Sequence, residues 1–291
     1  MLEQVIACPV CGEKKFSKHL ETLDYTTTRE PFTIMRCDHC SLLFTSPRPD
    51  KNSIGKYYQS ENYISHTGGQ ATAMDSIYRT VRGITLKSKL SLVNKYQSKF
   101  TLLDYGCGTG EFLATCKDAG WTVTGVEPSD EARVKNRKDL QVVDDLSKVA
   151  TQVNAITMWH VLEHVHDLNE TLARLRSLLT NNGTVFIAVP NHESYDAQYY
   201  KNFWAGYDVP RHLWHFNKYT IKELLNRHNL RLQAIVPMKF DSYYVSLLSE
   251  GYKHPGRNTF VRSVSAFSRG LLSNLKAGKD NHSSLIYIAG S

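Results

Sequence analysis

The stretch LDYGCGTGE, residues 103–111, decides the fold of this 291-residue chain. The apolar residues before it are typical of a buried strand, and the residues after Gly110 follow a helical pattern. Three glycines at this junction let the backbone turn sharply and approach a ligand that a Cβ atom would block. The free N–H groups at the start of a helix suit an anionic group. The stretch therefore predicts a ligand-binding loop between a strand and a helix.

Strands and helices alternate around this loop. The predicted strands are FTLLDYG (100–106), WTVTGVEP (121–128), LQVVDDL (140–146), NAITMWH (154–160), GTVFIAVP (183–190), RLQAIVPMKF (231–240) and SSLIYIAG (283–290). Helices are predicted between them over 111–120, over 129–137 with Ser129 as the cap, over 169–183 and over 218–230. Such alternation is typical of βαβ units and predicts an α/β protein with a doubly wound, mostly parallel sheet.

A carboxylate follows the loop at the spacing of a nucleotide site. Glu127 ends the next strand, twenty-one residues after Gly106, and can accept both ribose hydroxyls. A nicotinamide or flavin site is the competing interpretation. The G-x-G-x-G spacing and Asp104, two residues before the first glycine, argue against it. A carboxylate at that point repels a pyrophosphate but attracts the ammonium of a methionine moiety.

The motifs LLDYGCGTGEFL, VTGVEP, VDDL and MWHVLEHVHDL together resemble those of class I S-adenosylmethionine (SAM)-dependent methyltransferases. The resemblance lies near the ubiquinone-type O-methyltransferases and covers roughly residues 100–290. It implies SAM as cofactor and a seven-stranded, Rossmann-like sheet with an antiparallel last strand. By matched position, the cofactor-binding residues are Asp104, Gly106, Cys107, Gly108 and Gly110 at the methionyl end, Glu127 and Pro128 at the ribose, Asp145 and Leu146 at the adenine, and Trp159 and His160 beside the sulfonium.

The segment His160–His164 has the pattern H-x-x-E-H, which also occurs in one class of metalloprotease. Here it leaves a strand and runs into Val165-His166-Asp167, which is the wrong context for that chemistry. The related O-methyltransferases carry E-x-x-E-H at this place, and some are thought to hold magnesium there. Because imidazole is a poor magnesium ligand, His160 is predicted to act as a general base instead. Glu163 and His164 are predicted to fix the loop by hydrogen bonds.

Four of the six cysteines form two C-x2-C pairs. These pairs, Cys8 with Cys11 and Cys37 with Cys40, predict a structural zinc site with four thiolate ligands. The spacing is similar to that of the zinc ribbon in sugar C-methyltransferases, where the ribbon covers the acceptor pocket. The alternative is an RNA-binding ribbon.

Three regions are predicted. Residues 1–46 form the zinc ribbon, and residues 47–98 form a linker and an N-terminal helical cap, in which Tyr58 and Tyr63 are expected to close over SAM. Residues 99–291 form the SAM-binding domain, with an aromatic insertion at 191–217 and a helical insertion at 241–280.

The aromatic insertion carries the candidates for the acceptor pocket. Asp208, Arg211 and His212 flank a proline turn and are predicted to converge on a substrate as acid, cation and base. His212 ranks above His215 as the base. The alternative is a salt-bridged loop under an aromatic cap.

The helical insertion carries an apolar stripe made of Phe260, Val264, Phe267, Leu271 and Leu275. With the nearby arginines and a lysine, the stripe permits peripheral contact with an anionic membrane or a lipid-linked substrate. Packing in the core or in a dimer is the favoured interpretation.

The composition sets limits on function. The net charge of +7 modestly favours anionic partners. The sequence has no run of eighteen apolar residues, so it predicts no membrane-spanning helix. The N-terminus lacks the features of a secretory signal, so a cytoplasmic location is expected.

The leading hypothesis is methyl transfer to a small-molecule acceptor, such as a sugar, a phenol or another secondary-metabolite or envelope precursor. The alternative is an RNA methyltransferase whose ribbon reads the substrate. A third hypothesis, a SAM-binding module without activity, conflicts with the intact glycine loop.

Overall fold

The computed structural model describes residues 1–58, 73–98 and 100–291. Its N-terminal part is built from short strands and is followed by one long helix. The strands are β1 (Leu2–Glu3), β2 (Phe16–Leu23), β3 (Pro31–Cys37), β4 (Leu43–Thr45) and β5 (Arg48–Pro49), and the helix is α1 (Ala73–Tyr96).

The rest of the chain alternates strands and helices, as predicted. The elements are β6 (Thr101–Tyr105), α2 (Glu111–Asp118), β7 (Thr122–Val126), α3 (Asp130–Arg133), β8 (Gln141–Val143), β9 (Val153–Trp159), α4 (Leu168–Leu178), β10 (Leu179–Pro190), α5 (Tyr195–Tyr200), β11 (Trp214–His215), α6 (Lys218–Arg227), β12 (Arg231–Pro237), α7 (Asp241–Lys253), α8 (Thr259–Lys276) and β13 (Ser284–Gly290).

Seven of these strands form the central sheet, in the order β12–β13–β10–β9–β6–β7–β8. Strands β10, β9, β6, β7 and β8 are parallel to one another, and β13 is antiparallel to both of its neighbours. This confirms the predicted seven-stranded, mostly parallel sheet with an antiparallel last strand. The strand order reverses between β6 and β9, and ligands of such sheets bind at the carboxyl ends of the strands beside that point.

The helices that flank the sheet bury apolar stripes. Helix α4 places Leu168, Leu172, Leu175 and Leu178 on one buried face, at the spacing expected for an amphipathic helix. The neighbouring parallel strands are buried along most of their length, as is usual when helices cover both faces of a sheet.

Two predicted helices are shorter than expected. Helix α3 does begin after its predicted cap, because Ser129 Oγ accepts a hydrogen bond from the amide of Ala132. It ends at Arg133, and the side chain of Asn136 donates to the carbonyl of Gly108 (3.0 Å). The predicted helix over 169–183 ends at Leu178, because Leu179 already pairs with β9. In both cases a tertiary contact takes the place of the next helical turn.

A second sheet joins two regions that the sequence assigned to different domains. Its strand order is β11–β4–β3–β2, and β11 comes from the aromatic insertion at 191–217. Strand β5, which lies beyond the predicted ribbon boundary, pairs with β1. The boundaries at 46 and 98 stay predictions, but the hydrogen-bonded sheet crosses between the ribbon and the insertion.

The helical insertion folds as a hairpin of α7 and α8. Of the two kinds of packing favoured for the stripe of α8, packing in the core of the chain is wrong, because the stripe points outward, and packing in a dimer stays a prediction. Its five apolar side chains are between 41% and 75% exposed. Helix α8 packs on α7 through small residues instead, among them Ala266 and Gly270. None of the helices in the described ranges combines the length and apolar character that crossing a bilayer would require.

Candidate functional site

The glycine loop follows β6 at the point where the strand order reverses. Gly106, Gly108 and Gly110 all have positive φ values (75°, 54° and 73°), which side chains other than glycine rarely adopt. A Cβ atom on Gly106 would lie 2.5 Å from Val161, and one on Gly110 would collide with Asn136. The corresponding position on Gly108 has no atom within 4 Å. The loop is therefore tight on its protein side and open on the side where a ligand would lie.

Carboxylates stand at the ends of the next two strands. Glu127 accepts hydrogen bonds from the amides of Gly108 and Ser129, both at 2.9 Å. After β8, Asp145 accepts from the amide of Ser147 (2.8 Å), and this hydrogen bonding holds the pKa of Asp145 below its usual range. The neighbouring Asp144 is engaged by Lys148 (2.6 Å). Glu127 and Asp145 are thus fixed along the edge where a nucleoside would lie.

Asp104 lies beneath the glycine loop and is almost fully buried. Its carboxylate accepts a short hydrogen bond from the hydroxyl of Thr157 on β9 (2.6 Å). Burial raises the pKa of Asp104 to about 7, and the hydrogen bond from Thr157 opposes that rise.

Lys89 is a site residue that the sequence did not single out. It belongs to α1, and its ammonium lies 4.5 Å from the centre of the Trp159 ring. Burial lowers the pKa of Lys89, while the charges of Asp241 and Asp104 act in the opposite direction. A cation from the predicted helical cap therefore stands beside the acid at the methionyl end of the site. The sequence marked this segment only as a helical cap, and that prediction does not say which lysine points inward.

His160 is held between two acids. Its Nδ1 lies 3.2 Å from Glu163, its Nε2 lies 2.9 Å from Asp241, and its backbone adopts a positive φ of 57°. Burial alone would lower the pKa of His160, but the two carboxylates outweigh it and raise that pKa to about 10. Both ring nitrogens thus donate hydrogen bonds at neutral pH. This geometry conflicts with the prediction that His160 is a general base, because a base needs a free lone pair.

Three side-chain atoms that can accept hydrogen bonds converge next to His160 and its two acids. The ligand atoms of Glu163, His164 and His212 lie within 4.8 Å of one another. The Nδ1 of His212 faces the carbonyl of Gly206 (2.9 Å), and the Nδ1 of His164 faces that of Arg211 (3.0 Å). Because a carbonyl only accepts, each Nδ1 carries the hydrogen, which leaves Nε2 of the neutral ring as an acceptor.

The same cluster contains an unsatisfied atom. Glu163 is 1% exposed, and its Oε2 has no hydrogen-bond partner in the described part of the chain. Burial lowers the pKa of His164 to about 4, so this ring is neutral at pH 7. With Oε2 of Glu163 left unpartnered, the cluster could hold either a cation or the X–H group of a substrate. Tyr58 lies against it, with its hydroxyl 3.0 Å from Nδ1 of His164. Tyr63 is outside the described residues.

Arg211 and Asp208 are engaged in the interior. All five N–H groups of Arg211 have partners: two bonds to Asp208 (2.9 and 2.6 Å), one to Asp24 (3.1 Å), one to the carbonyl of Tyr57 (2.7 Å) and one to the hydroxyl of Thr27 (3.3 Å). Burial would raise the pKa of Asp208, but Arg211 outweighs it and holds that pKa below its usual range. The geometry thus matches the alternative of a salt-bridged loop and leaves Arg211 no donor for a substrate.

The four ribbon cysteines form a compact cluster. The Sγ atoms of Cys8 and Cys40 are 3.5 Å apart, as are those of Cys11 and Cys37, and all four lie within 4.8 Å of one another. These separations are too long for a disulfide, whose sulfurs lie about 2.05 Å apart. They fit the edges of a tetrahedron with bonds of about 2.3 Å, the Zn–S length. The two other cysteines, Cys107 and Cys116, are partly or fully buried, and burial raises the pKa of both thiols.

The sheet order, the glycine loop at the reversal point and the carboxylates along its edge define the class of SAM-dependent methyltransferases. A family model described as a methyltransferase domain matches residues 74–235. Because this match covers more than half of the chain, the protein belongs to the methyltransferase domain family.

Comparisons with individual proteins show the fold alone. No curated protein matches the chain. The magnesium protoporphyrin IX methyltransferase from Synechocystis PCC 6803 with bound S-adenosylhomocysteine (SAH) is 13% identical and has a TM-score of 0.55, over 83% of this chain and 100% of that one. The same enzyme with bound SAM is 12% identical and has a TM-score of 0.51, over 84% and 99%. A SAM-dependent methyltransferase from Archaeoglobus fulgidus is 20% identical and has a TM-score of 0.48, over 72% and 94%.

Proposed function

We propose that the protein transfers the methyl group of SAM to a small-molecule acceptor, with His212 as the general base. The observation that carries this proposal is the convergence of Glu163, His164 and His212, which are buried or half-buried, beside the carboxyl end of β9. Three atoms that can accept hydrogen bonds suit a methyl acceptor that arrives with an O–H or N–H group. Sugars, phenols and related metabolite or envelope precursors supply such groups.

The residues around the glycine loop would hold SAM, which supplies an electrophilic methyl group on a sulfonium. Asp104 would accept from the ammonium of the methionyl end, and Lys89 would bind its carboxylate. Glu127 would accept from the ribose hydroxyls, and Asp145 with Leu146 would border the adenine. The open side of Gly108 supports this orientation, since a side chain there would fill the cradle.

His160 would act on the sulfonium through charge rather than by proton transfer. Its imidazolium lies between two carboxylates, so the group of His160, Glu163 and Asp241 carries one net negative charge. Such a group at the end of β9 favours a cation nearby. The same hydrogen bonds would fix the loop that leads to His164.

His212 would remove the proton that the acceptor loses. Its Nδ1–H is anchored on the carbonyl of Gly206, which fixes the tautomer and leaves the lone pair on Nε2. SAM would supply the methyl group, and Nε2 of His212 would accept the proton that the acceptor loses on methylation. The carboxylate of Asp208 lies 4.0 Å from that nitrogen and would stabilise the imidazolium.

The ribbon is better suited to cover this pocket than to read RNA. One of its strands, β4, pairs with β11 directly after His212, and the hydroxyl of Thr45 donates to the carbonyl of His212 (2.7 Å). Two cations on and beside the ribbon pair with local acids, Lys18 with Glu21 (2.8 Å) and Lys56 with Glu30 (3.6 Å). We also propose that the four cysteines bind one structural zinc ion, which would stabilise this cover.

The test uses SAM with a labelled methyl group, offered together with a metabolite extract or with RNA. We expect label in the small-molecule fraction and little in RNA. The His212→Asn variant retains an N–H near Gly206 but loses the Nε2 lone pair, so turnover should decrease by about 10²- to 10⁴-fold while SAM affinity stays constant.

A matched control is His19→Asn, on the exposed strand β2, which should keep full turnover. Label in RNA that declines steeply with added salt would favour the RNA alternative. Full turnover in His212→Asn would exclude His212 as the base and leave the small-molecule assignment standing.

A further inference from the structure

The outward side of the α7–α8 hairpin is an unusually apolar surface. Of the seventeen large apolar side chains exposed in the described part of the chain, nine lie on it. We call this set the hairpin face; it comprises Phe240, Tyr244, Leu247, Phe260, Val261, Val264, Phe267, Leu271 and Leu275. Concentration of this kind marks an interaction site rather than ordinary surface variation.

The two helices join into one continuous surface. The ring of Tyr243 stacks on that of Phe267 with centroids 5.1 Å apart, which closes the gap between them. Below the rings, α8 approaches α7 so closely that a Cβ atom on Gly270 would lie 2.7 Å from Tyr243. The large side chains of α8 therefore have no room on the inner side and must face outward.

The spacing of the apolar residues on α8 is that of a helix–helix seam. Phe260, Val264, Phe267 and Leu271 follow one another at intervals of four, three and four residues. This is the heptad pattern with which one helix packs along another. It indicates that the partner places a helix along α8.

The charges of the hairpin also argue against a membrane. The guanidinium of Arg269 lies 4.0 Å from the centre of the Tyr199 ring, and the ammonium of Lys276 lies 4.3 Å from that of Tyr195. These two cations therefore form cation–π contacts with rings of α5, away from the seam.

We propose that the hairpin face binds a second copy of this chain and that the protein is a dimer with two-fold symmetry. In such an interface the same surface meets itself, so a charged face would repel its copy while this uncharged face does not. Nine side chains of this size, each about half exposed, offer on the order of 800 Å², which is what each partner of a standard interface buries. This inference does not depend on the identity of the methyl acceptor.

The experiment is sedimentation velocity of the full chain over a wide range of protein concentration. We expect a species of twice the chain mass of 33.1 kDa for the unchanged protein. Phe267→Glu places a charge in the centre of the seam and should yield the monomer, with at least a tenfold weaker dimer affinity. Tyr219→Glu on α6, which is 55% exposed outside the hairpin face, should leave the dimer intact.

Because Phe267 also stacks on Tyr243, that variant could lose the fold of the hairpin. Leu275→Glu replaces a side chain that is 70% exposed and serves as the second test, with circular dichroism to check helix content. A monomer at all concentrations, or a dimer that persists in both folded variants, would overturn the proposal. So would a monomer that cosediments with phosphatidylglycerol vesicles through the hairpin face, since that result assigns the face to a membrane.

Discussion

The cofactor loop and the aromatic insertion lie at the same edge of the sheet but are assembled differently. Asp104, the glycines, Glu127 and Asp145 come from the consecutive elements β6, α2, β7, α3 and β8. In the insertion, the defining contacts join distant parts of the chain: Arg211 with Asp24, 187 residues apart, and the hydroxyl of Thr22 with the carbonyl of Asn202, 180 residues apart. The first region is held by local geometry, and the second is held by pairing with the ribbon.

This difference determines what each region tolerates. The cofactor loop and the acids beside it should respond to mutation with changes in SAM affinity, because these residues face the ligand. The insertion, apart from His212, should respond with changes in stability, because polar residues such as Arg211 and Asp208 face one another. Three substitutions separate these responses.

Arg211→Met should have the largest effect. Removal of the guanidinium leaves Asp24 and Asp208 buried without a cation, and breaking a buried pair in this way costs about 3–5 kcal/mol in the free energy of unfolding. Urea denaturation measures the loss. Arg137→Met is the control, because Arg137 forms its ion pairs with Asp118 and Asp139 at the surface and should leave the denaturation midpoint unchanged. Equal midpoints for the Arg211 variant and the unchanged protein would show that the insertion does not depend on the ribbon.

Lys89→Met should have a smaller effect, on binding. Loss of a charge-assisted hydrogen bond to the SAM carboxylate should raise the dissociation constant for SAM by about ten- to a hundredfold. Isothermal titration calorimetry measures it, with the exposed Lys87→Met on the same helix as the control. If both variants bind SAM equally well, α1 covers the site without contributing to recognition.

The pH dependence of SAM binding should be the smallest effect. Burial raises the pKa of Asp104 to about 7 in the free protein, and the ammonium of SAM binds the carboxylate rather than the protonated acid. Affinity should therefore decline as the pH falls below that pKa, on the order of tenfold between about pH 7 and about pH 5.5. Calorimetry at several pH values tests this. Asp104→Asn should bind more weakly and without this slope, and a slope that persists in the variant would assign the titration to another group.

Much of the cofactor side could be predicted from the sequence, for a physical reason. The loop conformation needs glycine at defined positions, and parallel strands bring their carboxyl ends to one edge, so the order of motifs in the chain specifies their proximity. The predicted strands and the antiparallel last strand are confirmed. The lengths of α3 and α4 were not predictable, since Asn136 and Leu179 leave the helical pattern for contacts that only the fold supplies.

The environment of His160 shows where sequence reasoning ends. The local pattern H-x-x-E-H places one acid near this ring, and that arrangement alone is compatible with a base. The second acid, Asp241, lies 81 residues further along the chain, at the start of α7, and its carboxylate completes the ion-paired group. Likewise, α8 has a clear amphipathic pattern, but the pattern cannot tell a core-facing stripe from a solvent-facing one. Both questions depend on how the helical insertion docks.

The sheet shared by the ribbon and the insertion has a consequence for protein engineering. Because β11 completes the strands of the ribbon, and Arg211 makes its ion pair with Asp24 across the same junction, residues 1–58 and 191–217 form one exchangeable unit. A chimera that transfers acceptor specificity to another methyltransferase would have to carry both segments. A graft of either segment alone would separate a strand from its sheet and a buried arginine from its acid.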